Sequence, residues 1–214
     1  MQTIFVTATN TDIGKTYATK LLLQQYASFG YRVGVLKPIE TGVTTLPQDG
    51  SELLALAQQL NPLLRHLHVN DIVPIQFSLP AAPFVANQGR NINLNPIQDA
   101  LQQLEPLCDI VIIEGAGGLL VPIDDTTMIL DLITYCNATA LLVSHCRLGC
   151  INDTLVNMRL LDAHALTYSV ALNCKEGELE HFKQVSQPYF DAHCQPYYLL
   201  NTDLKALAES LLKF

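Results

Sequence analysis

Apolar and polar residues form alternating blocks along the chain, and the blocks predict strands and helices in turn. Apolar positions in the segment over residues 17–29 recur at helical spacing, and Gly30 follows as a stop signal. The run over residues 109–113 is apolar throughout, as is typical of a parallel strand buried on both faces. The pattern predicts strands over 3–7, 31–36, 109–113, 119–123, 138–144, 168–173 and 197–200, and helices over 17–29, 51–60, 95–104, 131–136, 153–164, 178–193 and 203–213.

Strand and helix alternate along most of this order, which is the pattern of α/β proteins. We therefore expect a single doubly wound, mostly parallel sheet with helices on both faces, similar to a P-loop NTPase, formed by residues 1–214 as one domain. The stretch over 61–93 has several prolines and few clear periods; Pro80–Pro83 is read there as a turn leading into a short helix.

The composition narrows the possible functions. The formal net charge is −8 and only 15% of the residues are charged, which argues against a surface that grips nucleic acid through its phosphates. The N-terminus lacks the basic segment and apolar core of a signal peptide, and the apolar runs are shorter than a membrane span. We expect a soluble, cytoplasmic protein without a membrane partner.

The six cysteines are scattered, without a CxxC pair. In a cytosolic chain they are expected to be reduced and mostly buried. Cys146 and Cys150 are four positions apart, but no His/Cys pair at zinc-like spacing accompanies them, so a metal site there is not predicted.

The sequence Gly14-Lys15-Thr16 joins the first predicted strand to the first predicted helix, as a phosphate-binding loop requires. Backbone N–H groups at a helix N-terminus attract an anion. Lys15 would reach the terminal phosphates of a nucleotide, and the Thr16 hydroxyl would bind Mg²⁺. The usual pattern has a glycine where this chain has Thr9.

Further polar residues follow other predicted strands. Lys37 ends the second strand, Glu114 begins a glycine-rich segment after the buried strand, and Asn173 ends a later one. Because ligands bind at the carboxyl ends of parallel strands, we expect these residues to meet. Thr16, Asp49 and Glu114 are then candidate Mg²⁺ ligands, although Asp49 could instead cap its helix, and Lys15 and Lys37 would flank a transferred phosphoryl group.

Four motifs in this order resemble those of the dethiobiotin synthetase family: Thr11-Asp12-Ile13-Gly14-Lys15-Thr16, Lys37-Pro38-Ile39-Glu40-Thr41-Gly42, Glu114-Gly115-Ala116-Gly117-Gly118 and Arg147-Leu148-Gly149-Cys150-Ile151-Asn152. The resemblance covers essentially the whole chain. It implies ATP- and Mg²⁺-dependent carboxylation of 7,8-diaminopelargonic acid by CO₂, followed by ring closure through a carbamate and a carbamic–phosphoric anhydride. It also implies a homodimer with active sites at the interface.

The same resemblance implies roles for individual residues. Catalysis falls to Lys37, Lys15 and Thr11. The nucleotide is expected on Asp12, Ile13, Gly14, Lys15, Thr16, Tyr17, Glu114, Gly115, Ala116, Gly117, Asn173 and Cys174. The diamine or its carbamate is expected on Thr41, Gly117 and Gly118, and its carboxylate on the partner's helix start at Cys150, Ile151 and Asn152.

The chain also departs from the family pattern. Ala8 replaces the first loop glycine, and the segment after Asn173 does not read as an adenine pocket, so other nucleoside triphosphates are possible. Glu52 competes with Asp49 as the second metal carboxylate.

Three other functions compete with this one. A partitioning ATPase of the MinD/ParA kind would carry a lysine at position 10, where this chain has Asn10. A cobyrinate synthetase would need a glutaminase domain for which 214 residues leave no room. A nucleotide-binding module without turnover is the non-enzymatic alternative.

Overall fold

The computed structural model describes residues 1–212. Within them the strands are β1 (Gln2–Ala8), β2 (Val33–Leu36), β3 (Ile39–Thr41), β4 (Ile75–Phe77), β5 (Ile110–Gly118), β6 (Thr139–His145), β7 (Tyr168–Asn173) and β8 (Tyr197–Leu199). The helices are α1 (Lys15–Ser28), α2 (Gln48–Leu60), α3 (Val69–Ile72), α4 (Pro83–Ala86), α5 (Asn95–Leu104), α6 (Asp131–Tyr135), α7 (Cys150–Ala163), α8 (Leu179–Val185), α9 (Gln187–His193) and α10 (Leu204–Leu211), with a 3₁₀ turn at Pro62–Leu64.

Six strands form one parallel sheet in the order β2-β5-β1-β6-β7-β8. The strand β1 lies between β5 and β6, so the loop that follows it opens at the centre of the sheet edge. Helices flank this sheet, which confirms the predicted doubly wound α/β class. The side chains of Val111, Ile112 and Ile113 in β5 are fully buried, as the continuous apolar run predicted.

Parallel pairing aligns the strand ends that carry the polar motifs. Glu114 of β5 is in register with Val6 of β1, and His145 of β6 is in register with Asn173 of β7. The residues that follow these positions therefore open onto the same edge of the sheet. The loop between Ala8 and Lys15 begins at this edge, between the ends of β5 and β6.

Ala8, where the family has glycine, is the last residue of β1. It is fully buried and pairs with Gly118 on one side and Val143 on the other. The backbone there is extended, a conformation that any L-residue adopts without strain. Alanine is thus compatible with the start of this loop.

The structure differs from the predicted elements in several places. Residues 119–123 do not form a strand; Pro122 makes one isolated antiparallel bridge with Met128, since proline has no N–H to continue a ladder. Helix α7 begins at Cys150 rather than Asp153, directly after Gly149 in the left-handed region. The last helix ends at Leu211; its predicted end, Lys213, lies outside the described residues.

A second, two-stranded sheet was not predicted. The three-residue strands β3 and β4 pair in parallel, with Glu40 opposite Gln76. Segments this short carry no readable period. The strand β3 of this small sheet follows Lys37 and Pro38 and precedes helix α2 in the chain.

The expectation that all cysteines are reduced is wrong for one pair. Cys146 and Cys174 form a disulfide whose Cα atoms are 4.9 Å apart. It joins the loop after β6 to the residue that follows β7, and it lies in a small apolar cluster with Cys150, Phe182 and Phe190. Two residues that are 28 positions apart in sequence thus become neighbours through adjacent strands.

In residues 1–212, helices that are long and apolar enough to cross a membrane are absent.

Candidate active site

The phosphate-loop segment turns sharply into helix α1 at Gly14. This residue is the N-cap, with a φ of 112° in the left-handed region that favours glycine. A Cβ atom at Gly14 would overlap the side-chain amide of Asn173. The Nδ2 of Asn173 donates a hydrogen bond of 2.8 Å to the carbonyl of Ile13. The end of β7 therefore holds the loop in place from the side.

Lys15, the first residue of α1, points back along this loop. Its Nζ donates to the carbonyl of Asn10 at 3.3 Å. Burial lowers the pKa of Lys15, and the nearby charge of Glu114 opposes that shift. An ammonium group over a loop of this kind is placed to meet the phosphates of a nucleotide.

Lys37 is at the centre of a cluster of charges in which Lys37 and Glu114 are buried and Asp49 is half exposed. Its Nζ donates to Oε1 of Glu114 at 2.6 Å and to Oδ2 of Asp49 at 3.0 Å. The Lys37 side chain is 4% exposed and that of Glu114 0%. Burial alone lowers the pKa of Lys37, but the attraction of both carboxylates outweighs it and raises that pKa above its ordinary value. The cluster therefore holds Lys37 as a cation.

The same cluster has the chemistry of a magnesium site. The Thr16 hydroxyl donates to Oε1 of Glu114 at 2.9 Å, which leaves the lone pairs of the hydroxyl oxygen for a cation. The other carboxylate oxygen, Oε2 of Glu114, is buried without a hydrogen-bond partner among the described residues. A buried carboxylate oxygen is unfavourable without a partner, and hard oxygen donors suit Mg²⁺. The residues present fit such an ion.

Asp49 and Glu52, the two competing carboxylates, lie in different surroundings. Asp49 lines the cleft and contacts Lys37, whereas Glu52 is mostly exposed and pairs with Lys20. Residues 1–212 contain no cluster of three or more His, Cys, Asp or Glu side chains arranged to hold a metal. Cys146 and Cys150 are therefore not part of such a cluster. Any ion held here would rely on two carboxylates and a hydroxyl.

Glu40 was quoted in the second motif but given no role by the sequence. Its Oε1 accepts from the backbone N–H of Asp49 at 3.1 Å, and its Oε2 accepts from that of Gly50 at 2.9 Å. Burial raises the pKa of Glu40, and the donated hydrogen bonds and the charge of Lys37 act against that rise. The signal that the sequence offered was an acidic residue three positions after Lys37.

These groups surround a cleft of about 900 Å³. It brings together most of the residues singled out by sequence. The lining includes Thr11, Asp12, Gly14, Lys15, Thr16, Tyr17, Lys37, Thr41, Asp49, Gly115, Ala116, Gly117, Asn173 and Cys174. Ile13 and Glu114 are buried just behind this surface, and Gly118 continues β5 beside Ala8. A cleft of this size accommodates a nucleotide.

One end of the cleft carries residues that the sequence did not identify. The Tyr17 hydroxyl donates to Oδ1 of Asn201 at 2.7 Å, and Nδ2 of Asn201 donates to the carbonyl of Cys174 at 3.3 Å. Lys175 and Glu176 line the same end. Asn201 follows the short strand β8, and its single polar side chain gave no recognisable pattern.

The predicted carboxylate-binding segment is not part of this cleft. Cys150, Ile151 and Asn152 form the first turn of α7, and the Cys150 side chain is fully buried. Nearby, Nε2 of His145 and Oδ2 of Asp153 are 2.9 Å apart, and the N–H of Arg147 donates to Nδ1 of His145 at 3.2 Å. The His145 ring therefore braces the loop that leads into α7.

Known proteins resemble this chain over nearly its full length. A family model described as "AAA domain" matches residues 2–190. An ATP-dependent dethiobiotin synthetase BioD from Sulfurovum sp. is 40% identical over 211 residues, which are 99% of this chain and 100% of that protein. The corresponding protein of Helicobacter pylori (strain Shi470) is 38% identical over 98% of this chain and 100% of its own length.

Solved structures share the fold at much lower identity. A ParA family ATPase from Chlorobium tepidum superposes with a TM-score of 0.54 at 14% identity, covering 99% of this chain and 89% of that one. The MinD cell division protein of Aquifex aeolicus gives 0.51 at 14% identity, covering 97% and 86%. At this identity the likeness concerns the fold alone.

Proposed function

Because this chain belongs to the family of ATP-dependent dethiobiotin synthetases, we propose that its cleft closes the ureido ring of dethiobiotin in biotin biosynthesis. The enzyme is an ATP-dependent ligase that forms a C–N bond. The observation that supports this function best is the buried cluster of Lys37, Glu114 and Thr16 beside the phosphate loop. The Lys37 ammonium and the oxygen atoms of Glu114 and Thr16, which suit a metal ion, lie next to the helix N-terminus that would bind the phosphates.

The substrates are 7,8-diaminopelargonic acid, CO₂ and ATP. One amine attacks CO₂ and loses a proton to form a carbamate. A carbamate oxygen attacks the γ-phosphorus, and ADP leaves. The second amine then attacks the carbonyl carbon of the mixed anhydride and loses a proton, phosphate leaves with the electrons of its C–O bond, and the five-membered urea is closed.

The cleft residues singled out above divide the steps of this reaction among them. Lys15, with Thr11 and Asp12, holds the β- and γ-phosphates on the N-terminus of α1, together with the N–H groups of Ile13, Gly14 and Thr16. Thr16, Asp49 and Glu114 would hold Mg²⁺, which when bound neutralises phosphate charge. An ammonium has three N–H donors, and Lys37 uses two of them on Asp49 and Glu114. The third is available to the carbamate and the γ-phosphate, where charge develops.

In this proposal Thr41, Gly117 and Gly118 contact the diamine or carbamate. The nucleotide is contacted by Tyr17, Gly115, Ala116, Gly117, Asn173 and Cys174. The carboxylate of the diamine is held by the turn at Cys150, Ile151 and Asn152 of a second copy. That arrangement requires a homodimer, because the turn lies outside the cleft of its own chain. We propose one P-loop domain per chain, working in the cytoplasm, where ATP is supplied.

The test is a coupled product assay. Purified protein with diaminopelargonate, bicarbonate, Mg²⁺ and ATP is expected to release phosphate and dethiobiotin in equal amounts, identified by mass spectrometry. Omitting the diamine is expected to abolish phosphate release. Phosphate release that is independent of the diamine would instead support a P-loop ATPase, and nucleotide binding with no product would support a module without turnover.

Two additions to this assay address the remaining roles. Replacing ATP with GTP or CTP measures base preference at the Asn173–Cys174 end. Removing Mg²⁺ with EDTA is expected to stop product formation.

Sedimentation of the purified protein tests the shared site and is expected to give the mass of two chains. A monomer with full activity would contradict the shared carboxylate site.

A further inference from the structure

Glu40 holds the first turn of α2 from outside the helix. The N-cap position of α2 is Pro47, which provides no side-chain hydrogen bond to the exposed N–H groups of that turn. The carboxylate of Glu40, from the small sheet of β3 and β4, accepts two of them instead, those of Asp49 and Gly50. A carboxylate at this place also interacts favourably with the helix dipole.

The packing around Gly50 shows that this contact is built into the fold. A Cβ atom on Gly50 would overlap a methyl group of Val73 and lie 3.3 Å from Oε2 of Glu40. Glycine therefore lets the first turn of α2 approach both neighbours closely. Glu40 is 7% exposed, so it does not reach its partners through water.

Asp49 depends on this anchor. Its side chain is half exposed and contacts Lys37 from one side only. Its backbone N–H, however, is fixed by Glu40. Resting on the proposed function, we infer that Glu40 is a positioning residue, which fixes Asp49 beside Lys37 and Glu114 and thereby sets the affinity of the site for a divalent cation.

The experiment compares Glu40→Gln, Glu40→Ala and the matched control Glu52→Gln, which removes the same charge from an exposed position on α2 itself. The Gln variant is nearly isosteric and keeps one acceptor oxygen, so it guards against loss of folding in the Ala variant. The first measurement is hydrogen exchange of the backbone amides over residues 48–53 in the apo protein. Faster exchange is expected in both Glu40 variants and not in the control.

The second measurement is the affinity for Mn²⁺ in the presence of ADP, followed by electron paramagnetic resonance. Changes in the outer shell of a metal site typically weaken metal affinity by about 10- to 100-fold, and we expect a loss in this range for Glu40→Gln. Binding of fluorescent ADP in EDTA is expected to be unchanged.

Unchanged amide exchange, or an unchanged Mn²⁺ affinity in Glu40→Gln, would overturn the inference. So would an equal loss in Glu52→Gln. Neither measurement needs turnover, so failure of the proposed reaction would appear in the product assay alone and is distinguishable from failure of the role given to Glu40.

Discussion

Removing Lys37 is expected to damage stability as well as catalysis, because it leaves Glu114 as a buried, uncompensated charge. Lys37 and Glu114 are 4% and 0% exposed, and their 2.6 Å contact lies in the interior. Breaking a buried pair by removing one partner costs about 3–5 kcal/mol. For a chain of this size that corresponds to a fall in melting temperature of roughly 6–20 °C.

The perturbation that separates the two effects is a double substitution. Lys37→Met keeps the alkyl chain, and adding Glu114→Gln removes the charge that was left behind. The single variant is expected to lose several kcal/mol, while the double variant recovers most of that loss because an uncharged pair needs no countercharge. Both variants are expected to be inactive in the product assay, since each lacks the Lys37 ammonium.

Calorimetry and urea unfolding measure the stabilities, and the surface pair of half-buried Lys20 and exposed Glu52 supplies the control. Lys20→Met is expected to cost no more than about 1 kcal/mol. A loss of less than 1 kcal/mol in Lys37→Met would refute the reasoning, because the pair would then not be buried and charged. Turnover in the double variant would refute the catalytic role of Lys37.

The remaining predictions concern the loop and the cysteines. Asn173→Ala, which leaves the Ile13 carbonyl without its donor, is expected to weaken ADP binding and to cost about 1–3 kcal/mol of stability, measured by fluorescence titration and urea unfolding. Gly14→Ala is expected to weaken ADP binding further. The double variant Gly14→Ala/Asn173→Ala removes the clash and is expected to recover ADP binding only in part, because the positive φ at position 14 persists. Full recovery of ADP binding in the double variant would contradict this role of the backbone at Gly14. In denaturant without reductant the chain is expected to titrate four thiols, since Cys146 and Cys174 are joined; six thiols would disprove the disulfide.

Much of the cleft could be predicted because it depends on parallel strands. Once β1, β2, β5 and β7 are recognised from their apolar runs, their carboxyl ends must share an edge, and the residues that follow them must meet there. The structure indeed brings Lys15, Lys37, Glu114 and Asn173 together. Local sequence was enough to predict that these residues meet, because each of them ends or follows a strand that its own segment predicts.

Other features depend on partners that local sequence does not reveal. The strands β3 and β4 are three residues long and pair across more than thirty positions. The sequence around Glu40 does not indicate a partner for its side chain. Only the folded chain shows that the Glu40 carboxylate reaches the start of α2. The disulfide joins the residues that follow two neighbouring strands, and neither cysteine has a signal in its own segment.

The central place of β1 has a consequence for how the protein is made. Its neighbours in the sheet are β5 and β6. Gln2 can therefore pair only after Ile110 has been synthesised, and Ile4 can pair with β6 only after Thr139 has been. The side chain of Gln2 finally donates to the carbonyl of Leu211, 209 positions later. Contacts this distant in sequence form slowly. The phosphate loop precedes both strands that flank β1 in the sequence, so a nascent chain that stalls before residue 139 carries the loop without β6, one of those two strands.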